Sequence, residues 1–189
     1  FAGRPFALDF RLATNTDTAS VGFAGLVVVG FTGAFAAPFS LGAGMTADEI
    51  IAALGLERHP EGGWYRQTWV AEAAEGERPA GTCIYFLLKA GESSHWHRVD
   101  AVEIWHFHAG AALILKVAES EAGPAREMRL GPDIAAGERP QGIVPAHHWQ
   151  AARTTGDWTL VGCTVSPGFR FEGFELAPDG FDIPAGPVS

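Results

Sequence analysis

The sequence predicts an all-β fold, a sandwich or barrel with one short helix at its front. Three observations carry that expectation. Short runs rich in aromatic and β-branched residues follow one another from Trp64 onward, separated by Gly-Pro, Pro-Gly and Thr-Gly-Asp turns. Helical periodicity shows once, near residue 50. The composition, 24 Gly and 12 Pro with 19% charged residues, fits neither a coiled coil nor a disordered acidic segment.

The elements follow in order. Thr46-Ala-Asp-Glu49 reads as a capping box, Ile50, Ile51 and Leu54 form an apolar stripe, and Gly55 stops the helix. Gly62-Gly63 leads into a strand over Trp64–Val70. Cys83–Leu88 is apolar throughout, as expected of a strand buried on both faces. Glu103–His108 and Ala112–Val117 flank Ala109-Gly110, a hairpin signal. Further strands are expected at Arg126–Leu130, Gly142–Pro145, His148–Ala152, Thr159–Val165 and Phe171–Leu176.

The first part of the chain is unlike the rest. Before Met45 the only charges are Arg4, Asp9, Arg11 and Asp17, which cancel. The net charge of −9, all seven His, all six Trp and both Cys therefore belong to residues 45–189, expected to form a single domain. Residues 1–44 are expected to be an N-terminal extension outside that domain. A secretory signal, with Val21–Phe39 as its apolar stretch and Ala34-Phe35-Ala36 as its cleavage site, is the alternative, and a membrane anchor a further one. Four Gly within Val21–Gly33 count against both. The expected compartment is the cytoplasm, with no membrane partner. An acidic chain without a basic block is not a nucleic-acid binder. Cys83 and Cys163 stand alone in apolar strands, as free thiols used for packing.

The chemistry is expected among the histidines. His95 and His97 stand two apart, which on a strand places both on one face. Glu103 opens the next strand, and a hairpin would bring it beside them. With His148, or Gln150 at the same parity, these residues would hold a divalent Fe, Mn, Ni or Zn ion. Strand parity places Trp105 and Phe107 on the face of Glu103, as candidates to touch a ligand, and His106 and His108 on the other face. Arg66 is the candidate grip for an anionic substrate, and Tyr65 a candidate acid at the pocket mouth.

These residues resemble the cupin superfamily of small jelly-roll barrels. Gly91, His95, His97, Glu103 and Gly110 are similar to its first motif. Pro145-Ala146-His147 stands where its second motif has Pro-x-Gly, and Gln150 stands at the position of that motif's His. The closer resemblance is to the RmlC-like "cupin 5" domain of unknown function. It rests on HPEGGWYRQTW (His59–Trp69), HRVDAVEIWHFHAG (His97–Gly110), VPAHHWQAA (Val144–Ala152) and VGCTVSPGFRFEGFEL (Val161–Leu176). The resemblance implies a cupin jelly-roll barrel with a pocket inside, and a homodimer. Three functions are compatible with it. One is a metal-dependent enzyme of isomerase, lyase or oxygenase type acting on a small polar molecule. Another is a metal-free epimerase or isomerase with His97 as base and Glu103 orienting it. The third is a small-ligand-binding module without catalysis.

Overall fold

The computed structural model describes residues 44–186. The expectations for residues 1–44, extension or signal, lie outside the described residues except at Gly44. The helix α1 spans Ala47–Leu54, with Thr46 and Glu49 closing the expected capping box and Gly55 left-handed at its end. Eleven strands follow: β1 (Glu57–Arg58), β2 (Trp64–Val70), β3 (Thr82–Lys89), β4 (Ser93–Val99), β5 (Val102–Gly110), β6 (Leu113–Ala118), β7 (Arg126–Leu130), β8 (Gln141–Val144), β9 (Trp149–Thr154), β10 (Trp158–Ser166) and β11 (Phe174–Leu176). Among the described residues no helix is long and apolar enough to cross a membrane.

The strands form two antiparallel sheets. One has the order β1-β2-β3-β10-β5-β8, the other β11-β4-β9-β6-β7. Side chains from both meet in the main core, where Phe86, Leu88 and Trp105 of the first sheet pack with Leu113, Leu115 and Ala152 of the second. The helix closes one flank through Ile50, against Leu87, Ala109 and Leu160. On the outer side of the second sheet the C-terminal segment buries Ile183 with Trp96 and Trp149.

Two expected hairpins are instead passages between sheets. Ala109-Gly110 does not turn β5 back on β6. It extends β5 along β10, with Leu160 opposite Ala109 and Thr159 opposite Gly110, and β6 then joins β9 and β7. Gly110 makes the approach feasible: its φ is +91°, and a Cβ there would lie 2.4 Å from the Trp158 carbonyl oxygen. Likewise β4 and β5 belong to different sheets, so Glu103 meets His97 across the barrel and not along a hairpin.

Candidate active site

A cavity of about 290 Å³ lies at the end of the barrel formed by β2, β3, β4 and β10. The tight turn His59–Gly63 delivers its polar floor. His59 N–H donates to the Gly63 carbonyl (3.1 Å) and Gly62 N–H to the His59 carbonyl (3.0 Å). Gly62 has φ +106° and presses on β4, where an added Cβ would come within 2.2 Å of the Ser93 carbonyl oxygen. His95 N–H donates to the Glu61 carbonyl (2.8 Å). At that point the ladder between β4 and β9 shifts register, between Ser94 and His97.

That bulge breaks the expected parity of the His-x-His pair. Ser94 and His97 turn inward and are buried. His95 turns away: its Nε2 lies 3.1 Å from the Pro178 carbonyl oxygen, and it borders a more open hollow of about 370 Å³ beside Lys116 and Arg153. His148 is separated as well. The strand β9 begins only at Trp149, so His148 sits in the preceding turn with Nδ1 3.2 Å from the Ala146 carbonyl. His147 there has φ +66°, the conformation that Pro-x-Gly turns give to glycine. Of the quartet His95, His97, Glu103 and His148, only His97 and Glu103 line the cavity. Among the described residues no three or more His, Cys, Asp or Glu side chains have the geometry to hold a metal ion. The residues present do not fit the expected four-ligand centre.

What converges instead is a buried acid–base cluster. His97 Nδ1 lies 2.8 Å from the His95 carbonyl, which can only accept, so Nδ1 carries the hydrogen and neutral His97 presents a lone pair at Nε2. His59 Nδ1 accepts the Glu61 N–H (3.4 Å) and presents its lone pair on the same side. Both nitrogens face one carboxyl oxygen, with Glu61 Oε2 3.3 Å from His97 Nε2 and 3.4 Å from His59 Nδ1. Glu61 Oε1 accepts from the Ser94 hydroxyl (2.9 Å). Burial pushes the Glu61 carboxyl up to about 7, against the pull of His59 and Ser94. Burial also lowers His59 and His97. With both imidazoles disfavoured as cations, Glu61 is the group of this trio that burial drives toward its protonated form.

Glu103 is held differently. Trp105 Nε1–H donates to Gln150 Oε1 (2.9 Å), which fixes the amide, and Gln150 Nε2 then donates to Glu103 Oε2 (2.6 Å). Burial raises Glu103, while His97 and Gln150 draw it back. Gln150 and Trp105 are thus supports behind the cavity. Phe107 packs on the main core, also outside the cavity lining, so the substrate contacts expected of these three are not placed there. Arg66 lies on the exposed side of β2, where its Nη1 donates to the Leu54 carbonyl (2.8 Å) and caps α1 rather than gripping an anion. Tyr65 does line the cavity, edge-on to His59 at 4.6 Å. Burial and the neighbouring Glu57 raise its phenol. His59 and Glu61, which line the cavity, were not among the site residues expected from the sequence, and Cys163, expected only as a packing thiol, lines it too. Burial and the nearby Glu103 and Glu61 keep the Cys163 thiol neutral. The available signal for Glu61 was a carboxylate directly before two glycines in the HPEGGWYRQTW stretch.

The chain belongs to the cupins. Residues 48–177 match the sequence model of the family described as Cupin superfamily (DUF985). Among solved structures, a Shewanella oneidensis protein is 46% identical, with a TM-score of 0.67 over 70% of this chain and 85% of that one. A hypothetical protein from Leishmania major is 32% identical, with a TM-score of 0.63 over 72% and 89%. A comparison with curated proteins found no match.

Proposed function

We propose that this cupin is a metal-independent enzyme that moves a proton on a small molecule, in a reaction of isomerase or epimerase type. The observation that supports the reading is the Glu61–His97 contact of 3.3 Å, in which a buried carboxyl titrating at about 7 faces the lone pair of a neutral imidazole. A protonated acid and a neutral base held at one point are what general acid–base catalysis needs at neutral pH.

In the proposed cycle His97 Nε2 takes the proton from a carbon next to a substrate carbonyl. Glu61 Oε2 gives its proton to that carbonyl oxygen, so an enol forms with no net change in charge. Return of the His97 proton to the other face or to the neighbouring carbon, with an enol hydroxyl proton returned to Glu61 Oε2, restores the site. Ser94 holds the Glu61 carboxyl in place through its Oε1. The Tyr65 phenol, which stays protonated at neutral pH, is the second donor.

The test is exchange of substrate C–H for deuterium in D2O, followed by proton NMR over a panel of small carbonyl compounds. Exchange is expected with the wild-type chain and should fall by about 100-fold or more in His97→Gln and Glu61→Gln. Dialysis against a chelator should leave it unchanged. Exchange that the chelator abolishes and a divalent ion restores would establish the metal-dependent reading instead. Tight binding across the panel with no exchange would establish a binding module.

A further inference from the structure

We infer that the cavity takes a small organic cation, a protonated amine on an aromatic or aliphatic body, with Glu103 as its anionic partner. The inference deepens the proton-transfer reading by naming the substrate class, and rests on it for the chemistry only.

The first observation is the charge of the lining. Three carboxyl groups face the cavity, Glu57 at the mouth with Glu61 and Glu103 inside, and among the described residues no Lys or Arg lines it. The His rings do not compensate, because burial disfavours their charged forms. An anionic ligand would meet desolvated carboxyls with nothing to balance it, which is among the costliest arrangements a buried site can adopt. Arg66, the one cation the sequence offered for an anion, is spent on the end of α1.

The second observation is the wall. Phe169, Phe171 and Phe174 stack edge to face at 5.1, 5.8 and 6.3 Å, and Phe86 and Tyr65 continue the surface inward. Phe171 is 61% exposed although it is large and apolar. Aromatic faces attract an ammonium through the ring quadrupole, more strongly where water is excluded.

The third is the state of Glu103. Its Oε2 is tied to Gln150, and Gln150 is locked by Trp105, so the carboxyl is rigid before any ligand arrives. It is 6% exposed, burial disfavours its ionised form, and among the described residues no Lys or Arg lines the cavity beside it. An ammonium entering between Glu103 and the Phe wall supplies that charge. The volume of about 290 Å³ suits a compact ligand rather than a nucleotide.

The experiment uses three probes of one skeleton, benzylamine, benzyl alcohol and benzoate, titrated calorimetrically into the full chain at pH 7.5. Benzylamine is expected to bind at least about tenfold tighter than benzyl alcohol, with benzoate weaker than both. Glu103→Gln should remove the advantage of the amine while keeping the affinity for the alcohol. Equal or tighter binding of the alcohol or benzoate, no binding of the amine, or an amine advantage that survives Glu103→Gln would overturn the inference. If that variant does not fold, the wild-type comparison decides alone. The two readings fail separately. Amine binding without His97-dependent exchange would remove the proton-transfer reading and leave the ligand class. His97-dependent exchange confined to neutral or anionic compounds would do the reverse.

Discussion

Glu61 holds its proton because it is buried, against the pull of His59 and Ser94, and that has a consequence for stability. In the folded chain the carboxyl titrates at about 7, whereas the unfolded chain loses the proton near 4.5. Between those values the folded state binds more protons, so this group makes stability fall as pH rises from about 4.5 to 7 and adds nothing further above. Glu61→Gln removes the effect. The stability of the variant relative to wild type should therefore improve by about 3 kcal/mol between pH 4.5 and 8, read from urea denaturation at both. The lowered His59 and His97 act in the opposite sense in both proteins and largely cancel in the difference. The same group sets the activity profile. If Glu61 donates as the acid, kcat/KM for exchange should decline above about pH 7 as it ionises. A profile flat to pH 9 would remove Glu61 from that role. At this scale the sequence was half legible. His97 and Glu103 stood out through residue type and spacing. Glu61 did not, because its role comes from burial and from two lone pairs contributed by residues 2 and 36 positions away.

The elements explain why the His-x-His pair separates. Alternation along β4 would keep His95 and His97 on one face, but the His59–Gly63 turn captures the His95 N–H and shifts the register. A bulge of this kind depends on a turn more than thirty residues upstream, so no period within β4 could announce it. The strand positions themselves were readable: β2 is Trp64–Val70 as the pattern indicates, and α1 carries its expected caps. The tightness of that turn can be tested at its glycines. Gly62→Ala forces a Cβ into the Ser93 carbonyl at positive φ and should destabilise by on the order of 3 kcal/mol, with loss of exchange activity. Gly91→Ala, also at positive φ but with nothing within 4 Å, should cost only about 1 kcal/mol. Equal losses in urea denaturation would show that the close approach to β4 is not what holds Glu61 in place.

At the scale of the molecule, the site exists because two sheets close on each other. Glu103 comes from the first sheet, Ser94 and His97 from the second, and Glu61 from a turn that touches β4. Strand existence was legible in local pattern. Which sheet each strand joins was not, because Ala109-Gly110 has the composition of a hairpin and the geometry of a crossing. The helix cap at Thr46 and the family match from residue 48 set the expected limit of the cooperative unit. A chain beginning at Met45 should melt within a few degrees of the full chain by circular dichroism; failure to fold would show that the first 44 residues belong to the domain.

The central claim is the protonation pattern of Glu61 and His97, and heteronuclear NMR reads it directly. With carbon-labelled Glu and nitrogen-labelled His, the Glu61 carboxyl should titrate at about 7, and His97 should be neutral at pH 7 with its hydrogen on Nδ1. A Glu61 carboxyl that titrates near 4.5, beside a His97 protonated on both nitrogens at pH 7, would contradict it.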